Sequence, residues 1–409
     1  MTRFSNLHAY PAMVPDTLAT ELASFFVRPG YRVLDPFCGS GRLLLAAAER
    51  GAHCVGLDVN PIAILLVKAK CSLVEAKVIE LALQQLSSTI ERRTQMEPYD
   101  LEPGRKVRWF SRHAASELCE ILEFLNYRFP HVSLIPLAAA VLSATTRDVS
   151  YCRKDQWKLH RMLSGDRKRW HKSAWSVFRD RFTAALKELA SCRPLLGNCV
   201  AIRQDARQLS TLAASCGDRE LFDLVITSPP YGDSRTTVQY GGMSGLSLGV
   251  LRHLRALSLD VVSGVEIDHL CLGGRQIRLD TQNAAAMIPI KWYWHGGEDN
   301  NARARVTAFA RDLETSCNQV GALLRKGGLA VFVVARRSAG GWRVYLDRLL
   351  VTLMCRAGMQ FVNSYVRQIP YKVTPFIVHR RARSKSATVS DRDLVPTMRE
   401  EFILVFRRV

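Results

Sequence analysis

With 409 residues the chain is long enough for about two to three domain-sized units. Its 48% hydrophobic and 23% charged residues, with 25 Gly and 16 Pro, exclude a disordered, collagenous or disulfide-stapled chain. Lys and Arg number 57 against 37 Asp and Glu, and a formal charge of +20 on such a chain favours a polyanionic partner, because phosphate contacts release condensed counterions.

Met1 to Met13 lacks the apolar block and small-residue cleavage site of a secretory signal, so a cytoplasmic protein is expected. Asp16 to Phe26 reads as a short amphipathic helix after Pro15, and Arg32 to Leu34 as a buried strand. Asp35-Pro36-Phe37-Cys38-Gly39-Ser40-Gly41 follows, then a Leu- and Ala-rich helix from Arg42 to Arg50, and a second strand from His53 to Leu57 that ends at Asp58. A helical pattern runs from Pro61 to about Arg93, and a mixed helical region from Arg112 to Leu189 exceeds any ordinary loop. Strand signals return at Asn198 to Arg203 and Leu221 to Ile226, around a helical Ala206 to Ala214, so the alternation resumes where it was interrupted.

A Gly-rich stretch without clear period runs from Tyr231 to Asn301 and reads as a second excursion from the sheet. Ala302 to Leu324 is helical in pattern, Lys326-Gly327-Gly328 a turn, Leu329 to Val334 a strand, and Trp342 to Ala357 a further helix. Phe361 to Ile369 and Glu401 to Phe406 fit closing strands, with a mobile basic loop between them at His379 to Asp393. No apolar run approaches the roughly 18 to 20 residues of a bilayer crossing, so no membrane partner is expected. Eleven cysteines occur singly, without a C-x-x-C pair, which predicts reduced thiols. His295, Glu298 and Asp299 lack metal-ligand spacing, and no metal is expected.

Gly39 and Gly41 stand between a strand and a helix, where bare backbone lets a ligand approach closely. The spacing is not that of a phosphate-cradling G-x-x-x-x-G-K-[ST] loop. Asp58 closes the next strand, in place to accept hydrogen bonds from ribose hydroxyls, so the pattern points to a nucleoside-containing cofactor. The second motif, Thr227-Ser228-Pro229-Pro230-Tyr231-Gly232, follows an apolar strand to the sheet's carboxyl edge. Two prolines remove N–H donors and leave carbonyl acceptors, Ser228 adds a hydroxyl and Tyr231 a flat face. Such a site suits a ring-borne amine, a poor nucleophile whose lone pair must be localised by acceptors placed around its hydrogens.

The string D-P-F-C-G-S-G resembles the cofactor motif of S-adenosylmethionine-dependent methyltransferases that modify base amino groups, and S-P-P-Y-G resembles the catalytic motif of the DNA members of that family. The resemblance implies that Ser228, Pro229, Pro230 and Tyr231 hold a flipped base, and that Asp35, Phe37, Gly39, Gly41, Asp58 and Thr227 serve S-adenosylmethionine. His8 to Pro15, including Pro11, looks like the segment that covers the methionine part, with Met13-Val14 in place of the usual basic and aromatic pair. Asp205 is similar to the acid that accepts from the adenine amine, and is equally placed for a helix N-cap. The Ser variant is associated with cytosine N4. The cofactor motif here precedes the catalytic one, unlike the permuted order of many such enzymes, so adenine N6 stays open. Cytosine C5 chemistry is disfavoured, since no Pro-Cys dipeptide supplies its thiolate.

Residues 151–195 carry twelve Lys or Arg against four Asp or Glu, interleaved with Trp157, Trp170, Trp175 and Phe178. Arg153, Lys158, Arg161, Arg167, Lys168 and Arg169 are the phosphate-contact candidates; the plain alternative is a solvated helix face over core aromatics. Trp292 to Trp294 fit burial under the sheet better than a DNA wedge.

The expected architecture is α/β, a doubly wound Rossmann-like methyltransferase sheet with a helical insert. Its parts are cofactor-binding 1–75, the insert 76–195, catalytic 196–240, a second excursion 241–301 and the sheet's C-terminal part 302–409, with target recognition shared by insert and excursion. The expected activity is N4 methylation of cytosine in double-stranded DNA, beside a separate cognate restriction endonuclease. An RNA base-amine methyltransferase is a rival, disfavoured because only about thirty residues precede the cofactor strand. A catalytically silent DNA-binding regulator is another.

Overall fold

The computed structural model of the chain describes residues 4, 6–88, 101, 109–153, 159–209, 221–233, 238–257, 259–260, 262–275, 294–295, 300–339, 342–369, 377–379, 394–396 and 398–409. They form two compact units. One comprises Met1–Tyr31, Cys38–Arg203 and Val238–Asp268, the other Arg32–Phe37, Gln204–Thr237 and His269–Val409.

The strands are β1 (Arg32–Asp35), β2 (His53–Asp58), β3 (Cys199–Arg203), β4 (Phe222–Thr227), β5 (Trp294–His295), β6 (Leu324–Ala335), β7 (Arg337–Ala339), β8 (Trp342–Val344), β9 (Met359–Gln368), β10 (Ile377–His379), β11 (Leu394–Pro396) and β12 (Glu400–Arg408). Seven of them make one sheet in the order β3-β2-β1-β4-β6-β12-β9, a doubly wound Rossmann-like arrangement whose strand order reverses between β1 and β4.

In the second unit β1 and β4 run parallel, with Val33 opposite Leu224 and Leu34 opposite Val225. Val33, Leu34, Val225 and Ile226 are fully buried, as continuous apolar runs in a covered parallel sheet must be. β6 continues the parallel set, with Thr227 opposite Phe332. β12 then enters antiparallel between β6 and β9, so its N-terminal end lies at the edge where β4 and β6 finish. The expected turn at Lys326-Gly327-Gly328 is corrected: these residues lie inside β6, where the β4 pairing slips between Phe222 and Leu224 and absorbs them as an irregularity. Trp342 to Val344, expected as helix, is β8 paired antiparallel with β7, and the helix starts at Leu346.

In the first unit α1 (Asp16–Phe26), α2 (Arg42–Ala48) and α3 (Pro61–Cys71) match the expected helices in place. The long pattern from Pro61 is two helices: α3 ends where Ser72 turns extended, and α4 (Ala76–Ser88) follows. α3 starts sharply because Asn60 caps it, accepting the Ile62 N–H at 3.1 Å, with Pro61 in the first turn. Next come α5 (Arg112–Glu123), α6 (Ile135–Val149), α7 (Ser164–Lys168) and α8 (Ala174–Ser191). Val132–Val149 has the length and apolarity of a bilayer span, contrary to the sequence expectation, but is 72% buried and packs on α3, α8 and the helix Tyr240–Leu251. Its apolar surface is therefore used as a core helix uses it. The Gly-rich excursion is partly helical, at Tyr240–Leu251 and Gly264–Leu270. Ala206 and Arg207 form a turn, and the rest of the expected helix to Ala214 lies mostly outside the described residues, as does most of the basic loop after His379. None of the ten cysteines among the described residues is in a disulfide.

Candidate active site

In the second unit, two parallel neighbouring strands end on the first residues of the two motifs. Asp35 ends β1 and Thr227 ends β4, and the Thr227 hydroxyl donates to Asp35 Oδ1 at 2.6 Å. The Phe37 N–H donates to the same oxygen at 3.1 Å. Both Asp35 and Thr227 are buried, so this charge is held by donors from each motif.

Beyond Thr227, Pro229 is buried and Ser228, Pro230 and Tyr231 are half-buried. The Ser228 hydroxyl donates to Tyr231 Oη at 3.2 Å, and the Tyr231 hydroxyl donates to Glu401 Oε1 at 3.3 Å. Glu401 Oε2 accepts from Arg367 at 2.6 Å. Burial, with the Glu401 charge beside it, pushes the Tyr231 phenol above its ordinary range, so it acts as a neutral hydroxyl. Gly232 leaves the space that the Arg337 guanidinium occupies: a Cβ there would meet Arg337 Nη1. Arg337 is itself buried and pairs with buried Asp233 at 3.5 Å.

Asp205 has a local partner. Arg207 grips its carboxylate from Nε at 3.0 and 3.1 Å and from Nη2 at 2.6 Å, and its own N–H donates to Oδ1 at 2.9 Å. Asp205 thus closes a turn, and an adenine amine would share it with Arg207.

The first unit holds the glycine turn. Gly39 (φ +49°) and Gly41 (φ +79°) are left-handed, and a Cβ on Gly41 would lie 2.7 Å from Val67 Cγ2. Asp58 ties the turn down, accepting from the Gly39 N–H at 3.0 Å and the Asn60 N–H at 2.8 Å. Burial lifts its pKa to about 6 despite those donors. Tyr10 lies over Gly39, its Cε1 3.4 Å from where a Cβ would stand, and its hydroxyl accepts from Asn60 at 3.1 Å. Pro11, next in the chain, is buried. Lys70, also buried, donates to the Ser40 carbonyl at 2.7 Å, and burial lowers its pKa to about 8.

Among the basic candidates Arg153, Lys168 and Arg169 are exposed, and Arg169 pairs with Asp166 at 3.2 Å. Arg161 and Arg167 flank the Tyr151 ring at 5.7 and 5.9 Å. Trp175 and Phe178 belong to the core, where the Trp175 indole donates to Glu120 at 2.9 Å. Lys158 and Trp157 lie outside the described residues, as do Trp292, Glu298 and Asp299. Among the described residues no group of three or more His, Cys, Asp or Glu could hold a metal ion. Sequence reasoning did not single out Glu401, Arg367, Asn60 or Lys70, because their roles come from strand register and packing and carry no motif.

A family model described as DNA methylase matches residues 2–68. Type II methyltransferase M.MvaI of Kocuria varians is 28% identical over 392 residues, covering 90% of this chain and 84% of the relative. Type II methyltransferase M.BsoBI of Geobacillus stearothermophilus is 23% identical over 247 residues, 51% of this chain and 45% of the relative. Among solved structures, a SAM-dependent methyltransferase from Methanosarcina mazei has 9% identity and a TM-score of 0.33, over 98% of this chain and 99% of that one. The chain is an S-adenosylmethionine-dependent methyltransferase on a Rossmann-like sheet. Its residues 2–68 resemble DNA methylases, and 90% of its length is similar to a Type II methyltransferase.

Thr227→Val removes the donor that Asp35 uses while keeping the shape of the side chain. Urea unfolding should show a loss of about 1 to 3 kcal/mol, the cost of stripping a donor from a buried carboxylate, with Thr227→Ser close to wild type.

Proposed function

We propose that this methyltransferase modifies the N4 amine of cytosine in double-stranded DNA at a specific sequence, as the modification partner of a separate restriction endonuclease. The observation that carries this reading is the Thr227–Asp35 hydrogen bond, which joins the strand entering the glycine turn to the strand entering Ser228-Pro229-Pro230-Tyr231. The names of both relatives, Type II methyltransferases, support the restriction context. The Ser at the head of the catalytic motif favours cytosine N4; adenine N6 is the alternative.

The residues fit S-adenosylmethionine. The left-handed glycine turn leaves backbone bare, the Asp58 carboxylate is an acceptor suited to ribose hydroxyls, and the acidic Asp35 suits a cationic ligand. Pro11, Phe37, Gly39, Gly41 and Thr227 complete the proposed cofactor set. When bound, this cofactor supplies a methyl group already activated on a sulfonium. The task left to the protein is to position the amine, offer acceptors to its hydrogens and exclude water. Ser228 and the carbonyl oxygens of the two prolines are the proposed acceptors, and the Tyr231 ring the surface against which a flipped base stacks. Arg153, Lys158, Arg161, Arg167, Lys168 and Arg169 are proposed to contact phosphates.

Digestion of DNA methylated by the purified chain should yield N4-methylcytosine by mass; N6-methyladenine would replace the cytosine assignment, and no methylated nucleoside would remove the proposal. Tyr231→Ala should lower kcat by about 100-fold, on the scale of other positioning losses, and leave cofactor affinity nearly unchanged. Equal losses in both would put the tyrosine outside the amine site. Since Asp58 ionises near pH 6, its charged form prevails above that value and is lost as pH falls. Calorimetric cofactor affinity should therefore weaken by about tenfold per unit below pH 6, and Asp58→Asn should flatten that profile. Replacing Lys168 and Arg169 together by Ala should weaken DNA binding and reduce the slope of log affinity against log salt by about two. An unchanged slope would free both residues from a phosphate role.

A further inference from the structure

We propose that Glu401 is a positioning residue that sets the direction of hydrogen bonding at the amine site, acting on Ser228 through the Tyr231 hydroxyl; the inference rests on the amine-site reading above. Strand register puts Glu401 there. It lies opposite Ala335 at the C-terminal end of β6 and opposite Arg367 on β9, at the sheet edge where β4 releases the Ser-Pro-Pro-Tyr loop. From that loop the Tyr231 hydroxyl reaches Glu401, the second residue of β12.

Direction matters because a hydroxyl has one proton and two lone pairs. An ionised carboxylate only accepts, and Arg367 at 2.6 Å holds one Glu401 oxygen in a charged pair. The other oxygen takes the Tyr231 proton, so Tyr231 Oη is left to accept, and Ser228 donates its proton to it. The Ser228 proton is thereby turned away from the incoming base, and its oxygen faces the amine as an acceptor. Without Glu401 the Tyr231 proton is free to point at Ser228, which then loses a lone pair and offers a proton to a group that already carries two. The chain Arg367, Glu401, Tyr231, Ser228 thus converts a fixed charge at the strand pair into an acceptor at the motif.

Glu401→Gln tests direction separately from bulk. Arg367 would claim the amide oxygen, leaving the amide N–H groups toward Tyr231 Oη and reversing the chain at almost unchanged volume. Methyl transfer from radiolabelled S-adenosylmethionine to DNA by the full chain should show kcat lower by at least about tenfold, with cofactor affinity within about twofold of wild type. Tyr231→Phe keeps the ring and breaks the chain, so it should reproduce the loss, and adding Glu401→Gln to it should cost nothing more. Wild-type turnover in Glu401→Gln or in Tyr231→Phe overturns the inference, as does a full extra loss in the double variant. Transfer by wild type and Glu401→Gln alike overturns this inference alone; no transfer by the unsubstituted chain overturns the amine-site reading along with it.

Discussion

The architecture of this site depends on a buried carboxylate at the end of a strand. Asp35 is almost wholly removed from water, and a charge so placed persists only if hydrogen-bonded. One donor is Phe37, two residues on in the same motif; the other is Thr227, at the end of the neighbouring strand. The parallel register of β1 and β4 makes that second bond available, because it brings the strands to their carboxyl ends together. Asp35 and Thr227 thus end their strands where the strand order reverses, the place where open α/β sheets bind ligands.

The same edge receives a third contribution from an antiparallel strand. An all-parallel sheet would present only strand C-termini there. Because β12 enters the opposite way, its first residues, with Glu400 and Glu401, arrive beside the ends of β4 and β6. Arg367 is the cross-strand neighbour of Glu401, an opposite-charge pair of the kind that stabilises antiparallel ladders. A sheet contact thereby becomes part of the polar surroundings of Tyr231.

How much of this was legible in the sequence follows from the range of the interactions. The glycine turn, the Ser-Pro-Pro-Tyr loop and the strands before them are local patterns, and β1, β2, β4 and the starts of the helices after β1 and β2 fall where periodicity and turn residues put them, whereas the helix Tyr240–Leu251 after β4 carried no such signal. Glu401 contacts a tyrosine 170 residues away, and no local signal encodes that pairing. Trp342 to Val344 was misread because three residues of strand are too few to show an alternation, and pairing with β7 decides their conformation. The Lys326-Gly327-Gly328 signal was sound as chemistry, yet β4 pairs on both sides of it and holds it within β6. Trp175 and Phe178 sit among basic residues in sequence, but the helical period turns them inward, toward Phe124 and Phe182.

The loop after Tyr231 shows why the motif ends in glycine. Arg337 is buried against Gly232 and Asp233, so its guanidinium fills the space beside residue 232 and would have to move for a side chain there. Burying that cation is costly unless a carboxylate accompanies it, and Asp233, also buried, is the next residue in the chain. The pair pins the loop immediately beyond Tyr231, while Thr227 pins it immediately before Ser228. Four residues are thus held at both ends by buried charges, and the Tyr231 hydroxyl is held in the middle by Glu401. A loop restrained in this way keeps its hydroxyls and carbonyls oriented in advance, which is the condition that the proposed amine site would need for its hydrogen bonds to serve catalysis.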